Sequence, residues 1–286
     1  MSKAKAVSTN KVKKSREDWI FDIILYTIGV LLIIITLYPM YFIVIASFSD
    51  PAAVSNGQIM FLPKGVNFKG YKQLASYAKL WTGYRNTIAY VIMGTLVTIV
   101  VNIPASYALS RKHLYGRKFF TAFYLIPMFF TGGLIPTYLA VQRFHLLDTF
   151  WVMVVPFSVV TYYIIVGRTF FNNSIPEDLW EAAQLDGASA WQSFIHITVP
   201  HIRMVVGLLV VLRTIWVFNS FDIIYLITGG GPANLTQTVP IYAYNLGWGL
   251  KQLGRSSAVT VLLLLFLLVV CALYFRLLNK WEKEGE

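Results

Sequence analysis

From Ile23 to Ser49 the chain runs for 27 residues without a charged side chain. Coiled as an α-helix, that stretch is about 40 Å long, enough to cross a bilayer with tilt. A signal peptide has a shorter apolar core and a small-residue cleavage site, so the run reads as a retained first span. Five further apolar runs follow: Thr87–Leu109, Phe119–Gln142, Phe150–Gly167, Val205–Ile227 and Ser256–Phe275. Because a backbone in hydrocarbon has to satisfy its own hydrogen bonds, runs of this length fold as helices. The expected fold class is an all-α membrane protein with six transmembrane helices. Composition agrees, with 57% hydrophobic and only 13% charged residues.

The net charge of +11 does not point to nucleic acid, because the basic residues lie in tails and loops between apolar runs rather than in a soluble patch. They also orient the chain. The N-terminal tail, the 110–118 and 168–204 segments and the C-terminus hold 15 Lys and Arg, against 8 in the loops opposite. That bias places both termini in the cytoplasm. Residues 1–18 read as a disordered basic tail, 19–280 as one transmembrane domain and 281–286 as a C-terminal tail. Within the domain, 50–86 is an extracytoplasmic loop in which Tyr71, Leu74, Tyr77, Ala78 and Trp81 suggest one short interfacial helix. Asn102 and Pro104 mark a kink in the second span, and Pro127, Gly132, Gly133 and Pro136 break the third.

Between spans four and five lies a polar insert, residues 174–200, with four acids in an acid-poor chain. Ser174, Pro176 and Glu177 read as a capped helix start, and Gly187 as its stop. Ser189 and Gln192 repeat the capping pattern, giving two short helices hinged at Gly187. Leu179, Trp180, Ala183, Trp191, Phe194 and Ile195 offer apolar anchors; Glu177, Asp178, Glu181 and Asp186 offer charge. Such a mixture suits an interface with a soluble partner. It equally suits an amphipathic hairpin lying on its own bundle.

Here the residues resemble a family. Glu181-Ala182-Ala183, Gly187, Ile197 and Val199-Pro200 follow the cytoplasmic signature of the membrane-spanning permease subunits of bacterial ABC importers, departing only in Val199 where the signature has Leu. The stretch GGGPANLTQTVPIYAY, 229–244, looks like permeases of the carbohydrate-uptake branch, the maltose-transporter type. The resemblance implies an ATP-driven importer of a sugar or oligosaccharide. The insert would be a pair of coupling helices docked on a separate cytoplasmic ATPase dimer, with Glu181, Ala182, Ala183, Asp186 and Gly187 at the docking centre and Trp180 and Phe194 beside it. Its further partners would be a second permease subunit and an extracytoplasmic solute-binding protein. ATP and Mg would be used by the partner ATPase, with no cofactor on this chain.

The chain's own chemistry agrees with a non-enzyme: it has no phosphate-binding G-x-x-x-x-G-K-S/T loop. Its four histidines show no metal-ligand spacing, and the lone Cys271 sits in the last apolar run. Polar groups at membrane depth border a cavity or a neighbouring helix. Asn219, Asp222 and Tyr225 of span five share a helical face. With Thr161, Tyr162 and Tyr163 of span four, they are candidates to line a sugar path; interhelical packing is the alternative. Two rival functions stand beside the importer: a secondary transporter or channel, and a membrane scaffold.

Overall fold

The computed structural model describes residues 15–130, 132–174 and 177–283, and among these every regular element is helical. Helix α1 spans Arg16–Ser47, α2 Pro51–Ser55, α3 Lys69–Ala75, α4 Ala78–Ser110, α5 Arg117–Phe129, α6 Leu134–Arg143 and α7 Thr161–Ser174. The second half holds α8 Glu177–Leu185, α9 Ala190–Ser193, α10 Val199–Phe218, α11 Asp222–Ile227, α12 Val239–Tyr244 and α13 Leu253–Lys283. Three of them, α1, α4 and α13, are long and apolar enough to cross a membrane, and a pair bent by 63° around residue 204 makes a fourth if counted as one span.

Several boundaries differ from expectation. Helix α1 starts at Arg16, inside the expected tail, because Ser15 and Asp18 form a capping box: the Ser15 hydroxyl accepts from the Asp18 N–H, and the Asp18 carboxylate accepts from the Ser15 N–H. The rest of that tail, 1–14, lies outside the described residues, as do 284–286. The expected interfacial helix splits in two, since α3 ends at Ala75 and Trp81 already belongs to α4. Apolar run four is not one helix. It opens with a 3₁₀ turn, Phe150–Met153, passes through irregular backbone, and becomes α7, which continues past Gly167 to Ser174. Run three is interrupted between α5 and α6, as its prolines and glycines suggest.

Helix α4 is the post on which the interrupted elements hang. It runs unbroken through Pro104 and packs against α7 and α10. Asn102, placed at the expected kink, is a clamp instead. Its Nδ2 donates to the Ser158 carbonyl at 2.6 Å, and its Oδ1 accepts from the Val160 N–H at 2.8 Å. These are backbone groups freed by the irregular stretch before α7, which would be orphaned in a dry interior. Where α4 and α7 approach most closely, a side chain on Gly167 would run into Ser106.

Sixteen residues earlier, Asn86 does the same for the loop after α11. Its amide points at the carbonyls of Asn234, Leu235 and Gln237, at 3.1, 2.9 and 3.0 Å. Thr236 closes that loop from within, donating to Gly231 O and pairing with Thr228. The main core gathers around this end, with Tyr90 stacked on Phe150 beside Ile224, Ile241 and Val259. A smaller core of Phe171, Trp180 and Ile202 sits at the far end of α4. Helix α1 leans on α13, and its most apolar window is not buried by the rest of the chain.

Replacing Asn102 with Ala strands the buried Ser158 carbonyl and the half-buried Val160 N–H, the first worth about 1–3 kcal/mol and the second less. We expect Asn102→Ala to lower the melting temperature of the detergent-solubilised protein by several degrees, about 2–4 kcal/mol in stability; an unchanged melting curve contradicts the clamp.

Candidate coupling surface and translocation path

The insert forms the two-helix hairpin its capping signals call for. Helix α8 ends in a Schellman arrangement: the Ala188 N–H reaches back to the Ala183 carbonyl at 2.9 Å, and Gly187 takes φ +78°. Only glycine adopts that backbone cheaply. The second start is a capping box, with the Ser189 N–H donating to Gln192 Oε1 at 2.8 Å and the Gln192 N–H to Ser189 Oγ at 3.3 Å. A π turn, Phe194–Thr198, then leads into α10. The first capping signal involves residues 175 and 176 and the Ser174 and Glu177 side chains, outside the described residues.

The expected docking residues divide by direction. Ala182, Asp186 and Gly187 are exposed, as are Asp178, Leu179, Leu185 at 89% and Trp191 at 69%. Ala183 is half-buried. Glu181 lies within α8, but its side chain is outside the described set. Trp180 turns the other way, and this corrects its reading as an outward anchor: at 6% exposure it is buried against its own bundle with Phe171 and Ile202. Phe194 is also spent mainly inward, its ring 5.1 Å from Tyr107 while Trp191 stacks on it at 5.7 Å. Periodicity cannot tell which apolar residues of a short amphipathic helix face the parent chain. The exposed remainder, with Asp178, Leu179, Leu185, Asp186 and Trp191, is an acidic and apolar surface on a hairpin anchored through Trp180.

The path candidates are not brought together as one lining. The shared face of Asn219 and Asp222 presumed a continuous helix, but α10 ends at Phe218, Asn219 is its C-cap and α11 begins only at Asp222. Asn219 donates to its own helix at the Ile215 carbonyl and lines a groove of about 360 Å³ with Met40, Thr260 and Cys271. Asp222 is exposed at the head of α11. Tyr225 joins an aromatic trio, stacked on Phe221 at 5.1 Å and edge-on to Tyr244 at 4.8 Å. A side-chain hydrogen bond with Tyr225, and then burial, raise the Tyr244 phenol above its ordinary value. Tyr162 is exposed and Thr161 half-buried at the start of α7.

Tyr163 lines a cavity of about 40 Å³ between α4, α7 and α10, together with Thr98, Asn102 and Arg213. That space is far below the roughly 300 Å³ of a small-ligand pocket. Arg213 is buried there, donating to the Phe157 carbonyl at 3.1 Å and resting on the Trp216 ring at 4.7 Å. Within this chain Tyr163 lies at the contact between α4, α7 and α10. Sequence reasoning missed Phe221 and Tyr244, which border the exposed break; their only signal was aromatic density around a polar interruption.

The helical architecture matches that of a chain in the crystal structure of a bacterial ABC transporter involved in the import of the acidic polysaccharide alginate. The TM-score is 0.81 at 24% identity, over 93% of this chain and 99% of that one. Among relatives by sequence, a probable ABC transporter permease protein of Brucella suis is 46% identical over 112 residues, 39% of each chain. The diacetylchitobiose uptake system permease protein DasB of Streptomyces coelicolor is 39% identical over 132 residues, 46% of this chain and 38% of that protein. In these two matches the chain covers about two fifths of the relative's own length. Residues 110–283, which include the hairpin, the break in span five and the last long helix, match the family described as binding-protein-dependent transport system inner membrane component, and the chain belongs to that family.

Proposed function

We propose that this chain is a permease subunit of an ATP-driven sugar or oligosaccharide importer, spanning the membrane six times with both termini in the cytoplasm. The six crossings are α1, α4, α5 with α6, the 150–174 segment, α10 with α11, and α13. The count of Lys and Arg, 15 against 8, supports that orientation. A second permease completes the bundle, an extracytoplasmic binding protein delivers the solute, and a cytoplasmic ATPase dimer supplies the drive with ATP and Mg. The observation that carries this reading is the exposed α8–α9 hairpin inside the family-matched region. A water-facing acidic knob emerging between membrane helices has the form of a handle for a soluble engine.

Mechanically, the knob has two useful properties. Ala182 and Ala183 present little bulk, which lets a partner surface approach the helix backbone. Gly187 holds the angle between α8 and α9 through its positive φ. Force applied at Ala182, Asp186 and Gly187 passes through α8 to the small core at the end of α4, and so to the helices around the path. The sugar assignment is supported by the diacetylchitobiose uptake named for the Streptomyces relative, and the solute-binding partner by the family's binding-protein-dependent description.

For the path, Phe221, Tyr225 and Tyr244 offer ring faces and hydroxyls beside the exposed Asp222, a combination able to stack on a sugar ring and hydrogen-bond its edges. Asn219, Asp222 and Tyr225 stay in this proposal as groups at the break in span five; Thr161 and Tyr162 stay as its counterparts on α7.

Two outcomes test it. In vesicles holding the complete transporter, Gly187→Val forces a side chain into left-handed backbone at about 1–2 kcal/mol, so ATP-dependent uptake falls about tenfold or more at unchanged membrane levels; uptake unaltered in Gly187→Val and in Glu181→Lys contradicts the coupling role. Tyr225→Ala and Tyr244→Ala lower uptake while the ATPase co-purifies as before, and full uptake in both removes the trio from the path.

A further inference from the structure

The end of α4 nearest the hairpin carries a group that the coupling reading does not use. The Arg111 guanidinium carbon lies 3.3 Å from the centroid of the Trp180 ring and 5.0 Å from that of Tyr107. Tyr107 meets Trp180 edge-on at 6.1 Å and reaches Phe171 and Phe194 at 5.9 and 5.1 Å. Arg111 is steadied on its own side by Nε donating to Ser110 Oγ at 3.0 Å. Tyr107 lies in the last turn of α4 and Arg111 is its C-cap, and both reach the Trp180 ring of α8.

We infer that Arg111, with Tyr107 beneath it, is a positioning residue that latches the α8–α9 hairpin to α4 by clasping the Trp180 ring, and so makes coupling helix and membrane helix move as one body. This rests on the proposed coupling function, but the latch itself is a property of the isolated chain. Three observations converge on it. The Trp180 ring is buried although its neighbours Asp178, Leu179 and Ala182 on the same helix are exposed. A cation covers the ring face, where the quadrupole attracts it most. The same ring joins α8 to the Phe171 of α7 and the Ile202 of α10, so the latch closes a four-helix joint. The clasp adds a directional contact to the apolar packing of Trp180 on Phe171 and Ile202, which is non-directional and by itself lets the ring shift. A hairpin free to shift absorbs a partner's motion instead of passing it on.

Hydrogen–deuterium exchange of the full chain in lipid nanodiscs reads the latch directly. In Arg111→Gln and in Trp180→Leu, the amides of residues 177–193 exchange about tenfold faster than in the parent, while those of 258–275 are unchanged, which excludes general unfolding. Arg111→Lys, which keeps a cation, and Trp180→Phe, which keeps a ring, fall between. Parent-like exchange of 177–193 in both Arg111→Gln and Trp180→Leu overturns the latch. In the assembled transporter the same two variants lose ATP-driven uptake with the ATPase still bound, and the double variant loses no more than the worse single one. Losses that add instead overturn the pairing of Arg111 with Trp180. If the parent chain itself shows no ATP-dependent uptake, the coupling function fails, and the exchange arm still decides the latch.

Discussion

In a dry interior a backbone N–H or C=O freed from its helix must find another partner, and the whole architecture follows from where those partners come from. The chain interrupts three of its apolar runs, yet the freed groups around residues 158–160 and 234–237 are taken up by the side-chain amides of Asn102 and Asn86. Both asparagines sit on α4, the longest helix described. Interruption is therefore affordable only because one helix stays whole. The breaks give the molecule non-helical backbone and exposed polar side chains such as Asn219 and Asp222, which a bundle of unbroken rods lacks.

The same helix links two regions of different character. At one end Asn86 holds the glycine-rich loop before α12; at the other Arg111 and Tyr107 hold the hairpin of α8 and α9. Between them, Thr95, Thr98, Asn102 and Ser106 line the face that meets α7 and α10. These small and polar residues allow close packing, as at Gly167 against Ser106. Close approach at Gly167 and the Asn102 clamp tie α7 to this post. Such ties are what a transmission element needs, because a core that yields side chain by side chain dissipates displacement.

Much of this was legible in the residues. The long apolar runs, the broken third run and the hinged two-helix insert follow from hydropathy, from Pro and Gly, and from capping pairs such as Ser189 with Gln192. What could not be read was direction. Trp180 and Leu185 are both apolar residues of α8, and only the tertiary contacts show that one is buried while the other is almost bare. Nor could continuity be read at Asn219: an apolar run with one amide looks helical, and the break there carries no proline or glycine to announce it. Ser15 and Asp18 form a capping signal that the basic tail around them obscured.

The central claim is that the exposed face of the α8–α9 hairpin is where the ATPase seats. With Cys271→Ser as background, a cysteine introduced by Ala182→Cys in the assembled transporter should cross-link to the ATPase subunit through a short thiol-reactive reagent, whereas one introduced by Trp248→Cys, exposed in the segment between α12 and α13, should not. An adduct at 182 alone is the predicted result. Absence of that adduct in an actively transporting complex, or its appearance only at 248, contradicts the account.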